Sequence, residues 1–182
     1  KAQVAEGYQA QVLIRWGDPL AKGVGEFDPL KLTADEQEQR FGYNNDYVAY
    51  LPLDGSAEHG LLCVNHEYTD THLMFPGLKA EALKDSVTAE QTQIEMAAHG
   101  LSVVEIKRDN GQWRYVPDSR YNRRISLRSS ACQISGPAAG HARLQTAADS
   151  SGRKVIGTLN NCSGGKTPWG TILTAEENFH QY

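Results

Sequence analysis

The sequence predicts a mainly β fold of short antiparallel strands with two helical insertions, and three observations predict it. Asp109-Asn110-Gly111 separates two runs rich in β-branched and aromatic residues, and Asn-Gly supplies the positive φ angles that a tight hairpin needs. Further short runs of this kind recur along the chain, bounded by Gly, Asp, Asn and Pro. Thr33-Ala34-Asp35-Glu36 and Thr88-Ala89-Glu90-Gln91 carry the capping-box pattern of a helix start.

Taken in order, Gly7 to Trp16 reads as a strand closed by Gly17-Asp18-Pro19. The first capping box opens a short helix from Thr33 to about Arg40. Tyr47 to Leu53 reads as a strand that turns at Asp54-Gly55 and returns as Gly60 to Val64. The second helix runs from Thr88 to His99, with Gly100 placed for a left-handed C-terminal cap. Leu101 to Ile106 then pairs with Gln112 to Val116 across Asn110-Gly111. Arg143 to Thr146 and Lys154 to Leu159 read as short strands around Asp149-Ser150-Ser151-Gly152, and Gly170 to Thr174 is the final strand. Such spacing fits a sandwich, a barrel or a propeller, and self-similarity singles out none of them.

A length of 182 residues is enough for one ordinary domain core, and 40% apolar with 22% charged residues fits a folded rather than a disordered chain. The formal net charge of -4 gives no general reason to bind nucleic acid or an anionic membrane, and suits a protein that collects cations. The longest apolar runs, Val12 to Ile14 and Gly60 to Val64, are strand-sized and far short of a membrane span. Cys63, Cys132 and Cys162 are odd in number and form no CxxC pair, which argues against a zinc ribbon or a disulfide scaffold. No signal peptide opens the sequence, so Lys1 is expected to be a cytosolic or a processed N-terminus. The chain stops at Tyr182, a few residues past an acidic cluster, and reads as a piece of a longer protein.

The segment from Asn160 to Asn178 carries the most chemistry. It places a lone thiol, Cys162, before a Gly-Gly turn and a strand that ends on Glu176-Glu177-Asn178. A soft thiolate and hard carboxylate oxygens together suit a trivalent or borderline metal, and a cation offsets the cost of adjacent like charges. The alternative is a buried structural cysteine beside a solvated acidic loop. Asn65-His66-Glu67-Tyr68 repeats this logic after the strand Leu61 to Val64. Glu67 is the better ligand candidate, His66 a ligand or acid–base group, and Asn65 a group that orients either; a polar turn is the alternative.

Ser135 to His141 is a small-residue loop whose histidine could contact a phosphate or a leaving group, or simply lie on the surface. Arg120, Arg123, Arg124 and Arg128 form a basic run that suits an anionic substrate or a solvated face. Gly164-Gly165-Lys166-Thr167 is not a phosphate loop, because the upstream glycine is absent and Pro168-Trp169-Gly170 breaks any following helix. No serine or threonine stands out as a nucleophile.

Several motifs in order, Trp16-Gly17-Asp18, Phe41 to Asp46, Val64 to Glu67, Asn122-Arg123-Arg124, Ser135 to His141 and Asn161 to Asn178, resemble the PhoX family of alkaline phosphatases over essentially the whole chain. The resemblance implies a β-propeller, of which residues 1–182 would be an N-terminal fragment of the first two or three blades. It implies hydrolysis of phosphomonoesters with iron(III) and calcium, and export through the twin-arginine route to the periplasm or outside the cell. On the motif positions it implies that Cys162 is the thiolate ligand, Glu177 a metal-binding carboxylate and Glu67 the carboxylate of the Asn-His-Glu motif. Asn65, His66, Glu176 and Asn178 stand beside them as further ligands or supporting groups, and His141 as a substrate contact. Full members are longer, so ligands from later blades are expected from the remainder of the parent chain, and the isolated segment is expected to be weakly active or inactive. Two other readings of the strand pattern are a calcium-stabilised propeller that binds without turnover and a lactonase-like calcium propeller.

Overall fold

The computed structural model describes residues 3–79 and 86–181. Its centre is a five-stranded antiparallel sheet. β1 (Asn45–Pro52) pairs with β2 (His59–His66) from Asn45↔His66 to Pro52↔Gly60. The turn between them begins with positive φ at Asp54 (52°) and Gly55 (72°). β3 (Gly100–Asp109) lies on the other side of β2 and sets Cys63 opposite Val103. Its far edge is shared: β4 (Gln112–Tyr115) pairs with the C-terminal half, and β5 (Arg123–Ile125) with the N-terminal half. Asn110 (φ 49°) and Gly111 (φ 79°) make the β3–β4 turn with both central residues left-handed, as the Asn-Gly pair predicts.

Alternation along β2 divides the core in two. Val64 meets Leu20, Phe41, Val104 and Ile106 on one face, and Leu13, Ile14 and Leu62 pack against that cluster. Cys63 meets Ala49 and Val103 on the other face, where Tyr47, Leu61 and Ile172 cover it. Burial on both faces explains why β2 reads as a continuous apolar run.

The expected strand from Gly7 to Trp16 is absent: the segment is irregular and forms no ladder. Leu13 and Ile14 cover the sheet from above, and the Gln11 amide donates to the Trp113 carbonyl across 3.0 Å. An apolar segment lying on a sheet needs the same residue types as a strand within it, so the pattern alone cannot separate the two.

Both capping boxes form. In α1 (Ala34–Gln37) Thr33 Oγ1 accepts from the Glu36 amide at 3.3 Å, and Glu36 Oε2 accepts from the Thr33 amide at 3.1 Å. This helix is shorter than expected, because the chain turns back to bridge Arg40 with Pro19. A four-residue helix, α2 (Thr71–Met74), precedes α3 (Ala89–Ala98), where Thr88 and Gln91 form the second box. Leu32, Ala34, Met74, Phe75, Ile94 and Ala98 join these helices in a core of their own. Gly100 has φ 94°, and a Cβ there would collide with the Ile125 carbonyl, so it ends α3 and starts β3 as only glycine can.

Two further hairpins complete the described residues. β6 (Ala131–Gln133) pairs with β7 (Lys154–Ile156), and β8 (Asn161–Lys166) pairs with β9 (Ile172–Glu176). The expected strand from Arg143 to Thr146 is instead a 3-10 turn at Ala142–Leu144, capped when the His141 ring accepts from the Arg143 amide. Asp149 closes this loop by accepting from the amides of Ser151, Arg153 and Lys154. β8 lies across β1 and β2, and Gly164 rests on the Tyr47 ring. Among the described residues no sheet closes on itself, and no helix is long and apolar enough to cross a membrane.

Candidate metal centre

Strand ends bring three donor side chains together. Asp46, near the start of β1, Glu67, just after β2, and Cys162, second in β8, offer ligand atoms that all lie within 4.8 Å of one another. Glu67 and Cys162 are half-buried, while Asp46 is exposed, so the group sits at a rim open to further ligands. Glu177 also reaches the Cys162 thiol but lies outside this mutual group. Two clefts among the described residues do not lie on this group: one of about 510 Å³ is bounded by Phe27, Leu32 and Arg40, and an apolar one of about 480 Å³ by Leu61, Val103 and Ile172.

Two hairpins present these groups in the same way. β1–β2 is preceded by left-handed Asn44 (φ 46°), and β8–β9 by left-handed Asn160 (φ 53°). Each of these asparagines offers its carbonyl to the amide of the glutamate that ends the hairpin, Glu67 at 3.1 Å and Glu177 at 2.9 Å. Next come Asn45 and Asn161, paired with His66 and Glu176, and then Asp46 and Cys162. Each register breaks just there, between Asn45 and Val48 and between Asn161 and Gly164, as a bulge that turns the ligand side chain toward the rim.

Among the described residues, the electrostatics at the site are those of crowded acids. The Cys162 thiol is pushed up to about 12, first because it donates to the Asp46 and Glu177 carboxylates and next because of burial and their charges. Burial raises Glu67 above the ordinary carboxylate range, with the neighbouring Asp46 carboxylate and the Glu177 charge adding to it. The charged groups acting on both residues are all carboxylates. A bound cation would reverse this, and a sulfur donor among hard oxygens is a donor set that suits a metal ion.

Asn65 is 1% exposed and sits at the penultimate position of β2, so it lies within the sheet and not in a turn beyond it. Its amide donates to the carbonyls of Cys162 (2.9 Å) and Ser163 (3.2 Å), and its oxygen accepts from Thr174 Oγ1 (3.1 Å). Asn65 therefore fastens the thiol-bearing strand to the sheet that carries Glu67.

His66, fully buried at the end of β2, faces the interior. One ring nitrogen meets the Tyr43 carbonyl at 3.1 Å, the other meets Ser102 Oγ at 2.7 Å, and the ring stands edge-on to Phe41. Burial holds it well below its usual pKa, so it is a neutral brace. Glu176 Oε1 accepts from the Leu159 amide (2.8 Å) and Thr158 Oγ1 (3.0 Å) and so ties down the approach to β8. Asn178 is exposed with φ 48°, and His141 is exposed as the cap of its 3-10 turn; neither enters the three-residue group.

The basic run divides into separate roles. Arg124 turns inward to donate to Ser102 Oγ and to the carbonyls of Ala97 and His99, and burial lowers its pKa to about 10. Arg128 pairs with Asp35 at 2.7 Å, and Arg120 stacks on Tyr121. The run is thus neither one solvated face nor one anion cradle. Asp46 is the residue that the sequence reading passed over, although Asn44-Asn45-Asp46 parallels Asn160-Asn161-Cys162 letter for letter up to the ligand.

Comparison with known proteins bears on the whole chain. The family described as alkaline phosphatase PhoX matches residues 1–182. A solved structure of Pseudomonas fluorescens PhoX, in complex with vanadate, a transition state analogue, is 46% identical with a TM-score of 0.87. The match covers 96% of this chain and 29% of that one, so this chain spans under a third of its relative's length. A search of curated proteins gave no match. With a family match from first residue to last and the strand pattern shared at that identity, the chain belongs to the PhoX family of alkaline phosphatases.

Proposed function

We propose that residues 1–182 carry part of the metal centre of a phosphomonoester hydrolase that scavenges phosphate. The observation that carries this reading is the convergence of Asp46, Glu67 and Cys162 within 4.8 Å. Vanadate, bound by the related Pseudomonas fluorescens protein as a transition state analogue, supports phosphate esters as the substrate class. Cys162 suits iron(III), and the oxygens of Asp46, Glu67 and Glu177 suit iron or calcium. When bound, these ions supply Lewis-acid stabilisation of the charge on the phosphoryl group.

The chain's own residues prepare the site. Asp46 and Glu177 accept a hydrogen bond from the protonated Cys162 thiol in the metal-free protein, so metal uptake releases that proton and leaves the carboxylates as ligands. Asn65 holds the Cys162 backbone against β2, and His66 keeps the end of that strand fixed by bonding inward on both ring nitrogens. In this reading the sheet and hairpins are the first blades of a β-propeller, later segments complete the ligand set, and the mature protein works in the periplasm or outside the cell. Release of p-nitrophenol from p-nitrophenyl phosphate tests it, in a full-length PhoX chain that contains residues 1–182. Turnover that chelation and Cys162→Ala both abolish supports the proposal. Turnover that survives Cys162→Ala, or cleavage of a lactone in place of the phosphate ester, overturns it.

A further inference from the structure

The two ligand-bearing hairpins are built alike down to the asparagine that precedes each of them. Asn44 and Asn160 each adopt a left-handed backbone, at φ 46° and 53°, that asparagine and glycine tolerate and other residues resist. In that conformation each carbonyl receives the amide of the glutamate at the far end of its own hairpin, Glu67 or Glu177. Asn160 does more. Its side chain is 3% exposed, and its Nδ2 donates to the Glu67 carbonyl at 3.3 Å, across from one hairpin to the other. One residue thus holds Glu177 through its backbone and Glu67 through its side chain.

We propose that Asn44 and Asn160 are the paired positioning residues of the centre, and that the Asn160 side chain fixes the distance between the two hairpins. The proposal rests on the metal reading given above. Asn44 and Asn160 each bond the backbone of a glutamate at the centre, Glu67 or Glu177, and it is through the glutamates that they act. The two positions should respond differently to substitution. Asn44 works through its backbone, so Asn44→Gly keeps the geometry and Asn44→Ala does not. Asn160 works through backbone and side chain together, so Asn160→Gly keeps the left-handed turn and loses the bridge to Glu67.

Titration of a metal-depleted full-length PhoX chain that contains residues 1–182 with cobalt(II), followed by the thiolate-to-cobalt charge-transfer band, reads these effects, with metal-free thermal unfolding measured alongside. Asn160→Gly and Asn44→Ala should each weaken cobalt binding by about tenfold, the scale seen when groups that orient metal ligands are removed. Asn44→Gly should bind like the parent. Should Asn44→Ala fail to fold, Asn44→Ser reads the same conformational effect with a polar side chain. Cobalt affinity unchanged in Asn160→Gly, with only the unfolding midpoint lowered, makes these residues structural and overturns the proposal. Equal losses in Asn44→Gly and Asn44→Ala overturn its conformational part. A parent chain with no charge-transfer band contradicts the metal reading itself, which separates that failure from this one.

Discussion

Adding one methyl group at Gly164 should loosen the hairpin that carries Cys162, while the same change at Gly165 should not. A Cβ on Gly164 would lie 2.7 Å from Tyr47 Cγ and 2.8 Å from Cε1, and closer still to Cδ1, well inside van der Waals contact. Tyr47 cannot simply swing away, because it packs against the cluster of Ala49, Cys63 and Val103. Overpacking of this kind costs about 1–3 kcal/mol. In a chain of this size 1 kcal/mol moves the unfolding midpoint by roughly 2–4 °C, so Gly164→Ala should lower it by roughly 2–12 °C. A Cβ on Gly165 meets nothing within 4 Å, and its φ lies outside the left-handed range. Gly165→Ala should therefore be neutral, or stabilise by up to about 1 kcal/mol by restricting the unfolded chain. Circular dichroism melts of the two metal-free variants give the comparison. Equal shifts for both, or a Gly164→Ala melt that overlays the parent, would refute the docking of β8 on Tyr47.

Other perturbations give equally direct outcomes. Burial holds His66 and His99 below their usual pKa, so the unfolded state binds more protons once the pH falls below about 6.5. Each histidine should then remove up to about 1.4 kcal/mol of stability per pH unit until it titrates in the folded state, and a urea midpoint that stays level on acidification contradicts this. Cobalt(II) affinity should rise about tenfold per pH unit above neutrality, since one Cys162 proton leaves for each ion bound; a pH-independent affinity would mean that the thiol is not a ligand. Gly100→Ala combines a left-handed φ of 94° with a collision at the Ile125 carbonyl. It should cost about 2–5 kcal/mol, readable as a lower denaturant midpoint.

Local chemistry was legible in the sequence, and tertiary placement was not. Both capping boxes and the Asn110-Gly111 hairpin form where the residues predict, because each is decided within a few positions. Arg123–Ile125 and Ala131–Gln133 become strands because β3 and β7 present edges to them, and their own residues say little. Gly7 to Trp16 fails in the opposite sense: strand-like residues cover a sheet without joining it. At the site, Cys162 and Glu67 stand out as a lone thiol and a strand-end carboxylate, and the fold brings them together. Asp46 stood in the Phe41 to Asp46 motif with no role assigned, and the shared hairpin geometry shows it to be the counterpart of Cys162. Arg124 looked exposed in a basic run, yet its partners are carbonyls at the end of α3, more than twenty residues upstream.

The most direct test of the metal centre is elemental analysis of a purified full-length PhoX chain that contains residues 1–182, beside its Cys162→Ala variant. Iron and calcium in the parent, with iron lost and calcium kept in the variant, is the outcome that the thiolate and carboxylate arrangement predicts. Equal iron in both proteins, or a parent that takes up neither metal when supplied with both, would contradict it.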